Sequence, residues 1–303
     1  MQAVHFGLVL GVLALIGVAY GIGDSYVMRR LFDVRGTTEG DAFDYMEKNE
    51  LYTRAQFDAL HKEEITITSA DGLRLHAFYI EPYPESKKVV IVMHGYAALF
   101  THNLPQAEMF IEQGCNVLLV SQRAQGRSEG RYVTFGYREK DDLDQWVEWA
   151  AHRKGNGVTI GLFGQSMGGA TVLEYASMNR RAQFIIADCP YSDMTDLMRR
   201  QFAKRHLPPG IAVSFVNFVM QRRLGFRMSD VSPIRSVRGA AVPILWIHGG
   251  EDHLIPASMS QAMYDVKQGK KRIWIVPGAK HADMYALQPE EYREVVREFL
   301  AGI

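Results

Sequence analysis

The chain has 303 residues, of which 47% are hydrophobic and 22% charged, so it can bury a large core in one α/β-sized domain. Lysine plus arginine equals aspartate plus glutamate at 34 each, and no basic run is interleaved with aromatic residues. This composition excludes disordered and fibrous proteins, and the charge balance argues against a nucleic-acid-binding protein.

The first part of the chain is apolar. Residues 3–23 carry no charged side chain, and a helix of that length crosses a hydrocarbon core of about 30 Å. We therefore predict a transmembrane helix in an N-terminal membrane anchor, residues 1–32. Arg29 and Arg30 follow the apolar stretch, and the positive-inside rule then places the rest of the chain in the cytoplasm. One alternative is a cleaved signal peptide, with a small-residue site at Ala19-Tyr20-Gly21, although its usual basic start is missing. The other is a buried N-terminal helix of the globular domain, which is less favoured because the apolar residues go all the way round the helix instead of forming a stripe.

Residues 33–64 are polar and charged, and they predict a helical connector with a helix over 41–61 at the surface. Residues 65–303 are predicted to form one α/β domain, whose first two strands are joined by the hairpin signal Asp71-Gly72. Apolar runs predict eight strands, at 65–68, 73–80, 89–93, 116–121, 158–163, 183–187, 242–247 and 272–276. Helical patterns between and after them lie near 102–112, 138–152, 167–178, 258–267 and 290–301. Strands that alternate with helices predict a mostly parallel sheet covered on both faces.

One connection in this domain is too long for a simple crossover. It spans about residues 192–241 and predicts a helical lid insertion with two helices, 193–206 and 211–224. The second helix is strongly apolar over 211–220. Two interpretations stay open for it, the packing face of a cap or the wall of a pocket for an acyl chain.

The pentapeptide Gly164-Gln165-Ser166-Met167-Gly168 lies between the strand 158–163 and a helix start rich in small residues. This strand-turn-helix context is typical of a nucleophile elbow, in which a sharp turn exposes a serine hydroxyl. Glycines two residues either side of Ser166 remove side chains that would clash in so tight a turn. Ser166 is therefore the predicted nucleophile.

A serine nucleophile needs a base and a group that orients the base. Asp252 follows the strand 242–247 and His281 follows the strand 272–276, so both lie past the carboxyl ends of strands, where catalytic groups collect. The order Ser166, Asp252, His281 is that of the α/β-hydrolase fold and differs from those of chymotrypsin and subtilisin. Asp188, at the end of another strand, is an alternative acid.

With these residues in place, the chain resembles the α/β-hydrolase superfamily. The elbow predicts the N–H of Met167 as one donor of an oxyanion hole. The turn His94-Gly95-Tyr96 after an early strand resembles that family's His-Gly-aromatic turn, and the resemblance implies the N–H of Tyr96 as the second donor. His94 is expected to bond loop backbone, while His281-Ala282-Asp283 has metal-like spacing but no third ligand nearby.

Two further segments narrow the resemblance to small bacterial membrane-tethered hydrolases of the serine-aminopeptidase-like and esterase-like branch. Residues 123–130 resemble that branch's Arg-x-His-Gly-x-Ser turn, and Ser232-Pro233-Ile234 resembles its Ser-Pro-Ile segment. The chain departs from the pattern at Ser121, usually Asp, and Gln125, usually His. These departures affect the expected loop contacts and substrate preference more than the hydrolytic chemistry.

The sequence thus predicts a serine hydrolase that cleaves carboxylic esters through the triad Ser166, Asp252 and His281 and an acyl-enzyme. The expected partners are a small acyl ester, which can be lipid-like, and the membrane. The chemistry requires no cofactor and no metal. A serine peptidase, a thioesterase and a non-catalytic membrane-tethered binding protein with a vestigial site are the alternatives.

Overall fold

Eight strands form one sheet in the computed structural model, which describes residues 21–303. The strands are β1 (Lys62–Thr68), β2 (Arg74–Ile80), β3 (Lys88–Met93), β4 (Asn116–Val120), β5 (Thr159–Gln165), β6 (Ala182–Asp188), β7 (Ile244–Gly249) and β8 (Lys271–Val276). Their order is β1-β2-β4-β3-β5-β6-β7-β8. Strand β2 runs antiparallel to both neighbours, and the other adjacent pairs are parallel. The predicted eight-stranded, mostly parallel sheet is confirmed.

Helices cover both faces of this sheet. They are α1 (Glu39–Lys48), α2 (Arg54–Ala59), α3 (Leu104–Glu112), α4 (Glu139–Lys154), α5 (Met167–Tyr175), α6 (Met194–Lys204), α7 (Pro209–Leu224), α8 (Pro233–Arg238), α9 (Ser258–Val266), α10 (Met284–Leu287) and α11 (Pro289–Ala301). Alternate residues of β3 enter different cores, Val90 and Val92 on one face and Ile91 on the other. Because both faces of the central strands are buried, these strands are mostly apolar, whereas the edge strand β1 is largely exposed. Each fully buried Val or Ile contributes about 1.5–3 kcal/mol.

The segment predicted as a surface connector, residues 33–64, contributes several side chains to the core, although most of its residues are exposed or partly buried. The predicted helix over 41–61 is split into α1 and α2, each begun by a capping box in which Thr38 or Thr53 is the N-cap residue. Phe57 of α2 is buried, with its ring centroid 5.3 Å from that of Phe78 in β2. Apolar side chains of these short helices pack against the sheet. The average composition of the segment is polar, so the composition alone did not predict this packing.

Most of the predicted transmembrane segment, residues 3–20, lies outside the described residues. Among residues 21–303, no helix has both the length and the apolar character needed to cross a membrane. The chain is helical from residue 21 and ends this segment in a π-helix, Met28–Phe32. Met28 and Phe32 are buried in one cluster with side chains of α6 and α7. The end of the predicted anchor, residues 1–32, therefore packs against the rest of the protein.

The long connection between β6 and β7 contains α6, α7 and α8. Helix α7 has Val216, Val219 and Met220 buried in the same cluster as Met198 of α6. This cap lies at the carboxyl ends of the parallel strands, above the residues that follow β5, β7 and β8.

Candidate active site

Ser166 stands at a strained turn between β5 and α5. Its backbone has φ 55° and ψ −115°, a conformation that residues other than glycine rarely adopt. The Ser166 N–H donates to the Asp188 carbonyl oxygen at 2.7 Å. A Cβ on Gly164 would lie 2.2 Å from the Gly168 carbonyl oxygen, and one on Gly168 would lie 2.2 Å from the Met93 carbonyl oxygen. Only glycine fits these two positions, as the pentapeptide predicted.

The three side chains predicted as a triad meet in one hydrogen-bonded chain. The Nε2 atom of His281 lies 2.9 Å from the Ser166 hydroxyl oxygen. On the other side of the ring, Nδ1 lies 2.6 Å from an Asp252 carboxylate oxygen. A carboxylate only accepts, so Nδ1 carries the proton in the neutral ring and Nε2 is free to accept from the serine hydroxyl.

The Asp252 carboxylate is buried and fully engaged. Its second oxygen accepts the N–H groups of Leu254 and Ile255, each at 2.8 Å, and Nε2 of His248 approaches the first oxygen at 3.3 Å. Burial by itself raises the pKa of Asp252, but hydrogen bonds from His248 and His281 outweigh it and hold the pKa well below its usual range. The group is therefore a fixed negative charge beneath the His281 ring.

His248 is a site residue that sequence reasoning missed. Its Nδ1 is 2.7 Å from the Ser260 hydroxyl and its Nε2 is 2.8 Å from the Ile255 carbonyl oxygen. With the proton on Nε2, the ring donates to the loop that carries Asp252 and accepts from Ser260. The only sequence signal was its position at the end of β7, four residues before the acid.

The two residues predicted to donate to an oxyanion, Tyr96 and Met167, line the same pocket as Ser166. Met167 is the first residue of α5, and a Cβ on Gly95, next to Tyr96, would lie 3.3 Å from the Ser166 Cβ. Neither the Tyr96 N–H nor the Met167 N–H donates a hydrogen bond to the described residues. Both residues line the same pocket as Ser166, so both N–H groups are available to a bound oxygen.

His94 holds the turn that carries Tyr96, as expected. Its Nδ1 donates to the Gly95 carbonyl at 2.9 Å, and its Nε2 accepts the Gln122 N–H at 3.1 Å. Burial lowers the pKa of His94 to about 4, so the ring is neutral near pH 7 and has no free nitrogen for proton transfer.

The alternative acid, Asp188, lies beneath the site with other partners. It is fully buried at the end of β6 and accepts the Tyr292 hydroxyl at 2.8 Å. No hydrogen bond joins it to His281 in the part of the chain that the structure describes. Desolvation raises the pKa of Asp188 to about 6, against smaller lowering effects from Tyr292 and Cys189.

Within residues 21–303, one group of His, Cys, Asp and Glu side chains is close enough to hold a metal ion. It contains Cys189, Asp252 and His281, whose ligand atoms lie within 4.8 Å of one another. Asp252 and His281 already bond each other, and burial raises the pKa of the Cys189 thiol well above its usual value, which disfavours a thiolate ligand. Asp283, of the metal-like His-x-Asp spacing, is not in this group.

A pocket of about 250 Å³ opens beside Ser166. Its lining residues are Arg30, Leu31, Tyr96, Phe135, Ser166, Met167, Tyr191, Leu197, Met198, Gln201, Phe202, Arg205, Leu254 and Ile255. Helix α6 therefore forms one wall and the N-terminal segment another. Of the two interpretations of the apolar stretch 211–220, the packing face of a cap fits the structure, because none of its residues lines this pocket and the buried side chains of α7 pack inside the cap. A larger cavity of about 720 Å³, at the amino ends of β3, β5 and β6, contains none of the predicted site residues.

Comparisons with known proteins agree with this architecture. A family model described as X-Pro dipeptidyl-peptidase (S15 family) matches residues 71–223. The uncharacterised protein YqkD of Bacillus subtilis is 30% identical over 296 residues, covering 97% of this chain and 96% of its own. YfhR of Escherichia coli K12, also uncharacterised, is 26% identical and covers 80% of this chain and 82% of its own. The solved esterase Pf2001 of Pyrococcus furiosus is 27% identical, with TM-score 0.67, 82% of this chain and 95% of that chain covered.

Proposed function

The chain belongs to the S15 family of α/β-hydrolase-fold proteins, and from this premise we propose that it is a serine esterase. The observation that carries the proposal is the chain of hydrogen bonds from Ser166 through His281 to Asp252, at 2.9 and 2.6 Å. In this proposal Ser166 is the nucleophile, His281 the general base and then the general acid, and Asp252 the group that orients the imidazole.

Acylation follows from these roles. The Ser166 hydroxyl gives its proton to Nε2 of His281 as its oxygen attacks the ester carbonyl. The carbonyl oxygen becomes an oxyanion, which the N–H groups of Tyr96 and Met167 stabilise, and each such donor is worth on the order of 3 kcal/mol. His281 then gives this proton to the leaving oxygen as the oxyanion collapses and the ester bond breaks, so that an alcohol departs and the acyl group stays on Ser166.

Deacylation uses the same groups in reverse. A water molecule attacks the acyl-enzyme carbonyl and passes a proton to Nε2 of His281. The second oxyanion collapses, the Ser166 oxygen leaves, and His281 returns the proton to it. The products are a carboxylic acid and the free enzyme, so protons balance over the cycle.

The pocket supports an ester with an apolar acyl chain. Leu197, Met198 and Phe202 of α6 face the same space as Ser166. Each methylene that moves from water into such a wall gains about 0.8 kcal/mol, roughly fourfold in kcat/KM. In a series of p-nitrophenyl esters from acetate to octanoate, kcat/KM should therefore rise and then level off. A steady fall from acetate onward would contradict an acyl pocket.

The alternatives share the same three residues. An enzyme that removes dipeptides from a peptide N-terminus must bind a free ammonium group, and no acidic side chain among residues 21–303 lines this pocket. That observation favours an ester over a peptide substrate. A thioesterase would cleave acyl thioesters faster than matched oxygen esters, and a binding protein would show no turnover.

The direct test is covalent labelling of the full-length chain in detergent by a fluorophosphonate probe, together with hydrolysis of p-nitrophenyl butyrate. Ser166→Ala should abolish both. Ser214→Ala, at an exposed position of α7, is the matched control and should leave both unchanged. Absence of labelling in folded wild-type protein would refute the proposal.

A further inference from the structure

Two arginines line the pocket that holds Ser166. Arg30 comes from the π-helix of the N-terminal segment, and Arg205 is the C-cap residue of α6. They reach the pocket from two elements that are far apart in the sequence. The other lining residues are apolar or neutral, so the two arginines give the lining a positive charge.

Neither arginine is neutralised by a carboxylate. One guanidinium nitrogen of Arg205 contacts the Gln201 carbonyl oxygen at 3.1 Å, which leaves most of its five N–H donors unused. The Arg30 guanidinium lies 5.8 Å from the centre of the Tyr26 ring. No acidic side chain within residues 21–303 pairs with either one, and residues 1–20 contain no Asp or Glu.

Other arginines of the same cap behave differently. Arg200, one turn earlier on α6, bonds the Asp196 carboxylate at 2.9 Å and does not line the pocket. Arg30 and Arg205 are both exposed, and guanidinium groups match the oxygens of carboxylates and phosphates. The positive lining therefore indicates the charge of the ligand.

We infer that the natural substrate is an acyl ester that carries an anionic group, a carboxylate or a phosphate, which binds Arg205 and Arg30 while its ester carbonyl lies at Ser166. This inference rests on the proposed esterase function and adds the charge of the substrate to it. The apolar wall of α6 binds the hydrocarbon part, and the two guanidinium groups select against the neutral analogue.

Two substrates of equal length test the charge. Mono-p-nitrophenyl adipate differs from p-nitrophenyl hexanoate only in a carboxylate in place of the terminal methyl group. The measured quantity is the ratio of kcat/KM for the adipate to that for the hexanoate, in full-length protein. Because each variant serves as its own reference, partial misfolding lowers both values and leaves the ratio unchanged.

We expect Arg205→Gln and Arg30→Gln each to lower this ratio by about fivefold, the effect of losing one charge pair near 4 Å in water. Arg200→Gln is the matched control and should leave it unchanged. Salt should lower the wild-type ratio, because it screens exposed charges. A second pair, 1-hexanoylglycerol and 1-hexanoylglycerol 3-phosphate, places the charge on the alcohol side and distinguishes a phosphate from a carboxylate.

The outcomes separate the two proposals. Hydrolysis of the hexanoate with a ratio that neither variant nor salt changes, for both substrate pairs, overturns the inference and leaves the esterase function standing. A fall in the ratio for either pair supports it. Absence of Ser166-dependent hydrolysis of any ester overturns both.

Discussion

Replacement of Asp252 by Asn tests the assignment of the acid. The carboxylate accepts Nδ1–H of His281 at 2.6 Å and two backbone N–H groups at 2.8 Å. In Asp252→Asn the amide can keep the backbone bonds through its oxygen, which turns its NH₂ group toward His281. The ring then accepts at Nδ1 and carries its proton on Nε2, so it cannot take the proton of Ser166.

The loss should be large and confined to turnover. The same change in the Ser-His-Asp triad of trypsin-like serine proteases costs about 10⁴-fold in kcat, or about 5.5 kcal/mol at 1.36 kcal/mol per tenfold. We expect Asp252→Asn to lower kcat for p-nitrophenyl butyrate by about 10³- to 10⁴-fold, with the circular dichroism spectrum unchanged. Asp188→Asn, the matched buried carboxylate, should lower it less than about tenfold. A larger loss from Asp188→Asn than from Asp252→Asn would refute the assignment.

Three further predictions concern the elbow, the buried acid and the N-terminus. Gly168→Ala should lower the free energy of unfolding in urea by more than about 2 kcal/mol, because the new Cβ would lie 2.2 Å from a backbone oxygen. Gly210→Ala is the control and should not lower the free energy of unfolding, because no atom lies within 4 Å of its Cβ position. Equal losses in the two variants would contradict the close approach at Gly168. The pKa of Asp188 is about 6 in the folded protein and 3.8 in the unfolded chain. The folded state therefore binds more protons between pH 3.8 and pH 6, and the free energy of unfolding falls as pH rises through this range. Asp188→Asn should lack this fall and gain up to about 3 kcal/mol over wild type from pH 4 to pH 7, whereas a constant difference would contradict the raised pKa. We propose that residues 3–23 anchor the protein with its C-terminus in the cytoplasm; it should resist a carbonate wash, and a periplasmic signal from a C-terminal reporter would contradict this orientation.

The sequence by itself determined the features that depend on local pattern. Continuous apolar runs predicted the buried strands, and Asp71-Gly72 predicted the hairpin of β1 and β2. The glycines around Ser166 predicted the sharp turn, because a Cβ there has no room whatever the rest of the fold. The positions of Asp252 and His281 after strands predicted that they would meet, since parallel strands end at one edge of a sheet.

Only the tertiary structure decided which side chains surround those residues. Helix α6 forms the pocket wall and the more apolar α7 does not, because the buried apolar side chains of α7 pack against other residues of the cap. His248 joins the site through contacts with a loop and with α9. The segment that carries Arg30 reaches the pocket from the far end of the chain. Such contacts form between residues distant in sequence, and no local periodicity encodes them; they follow from how the buried faces fit together in space.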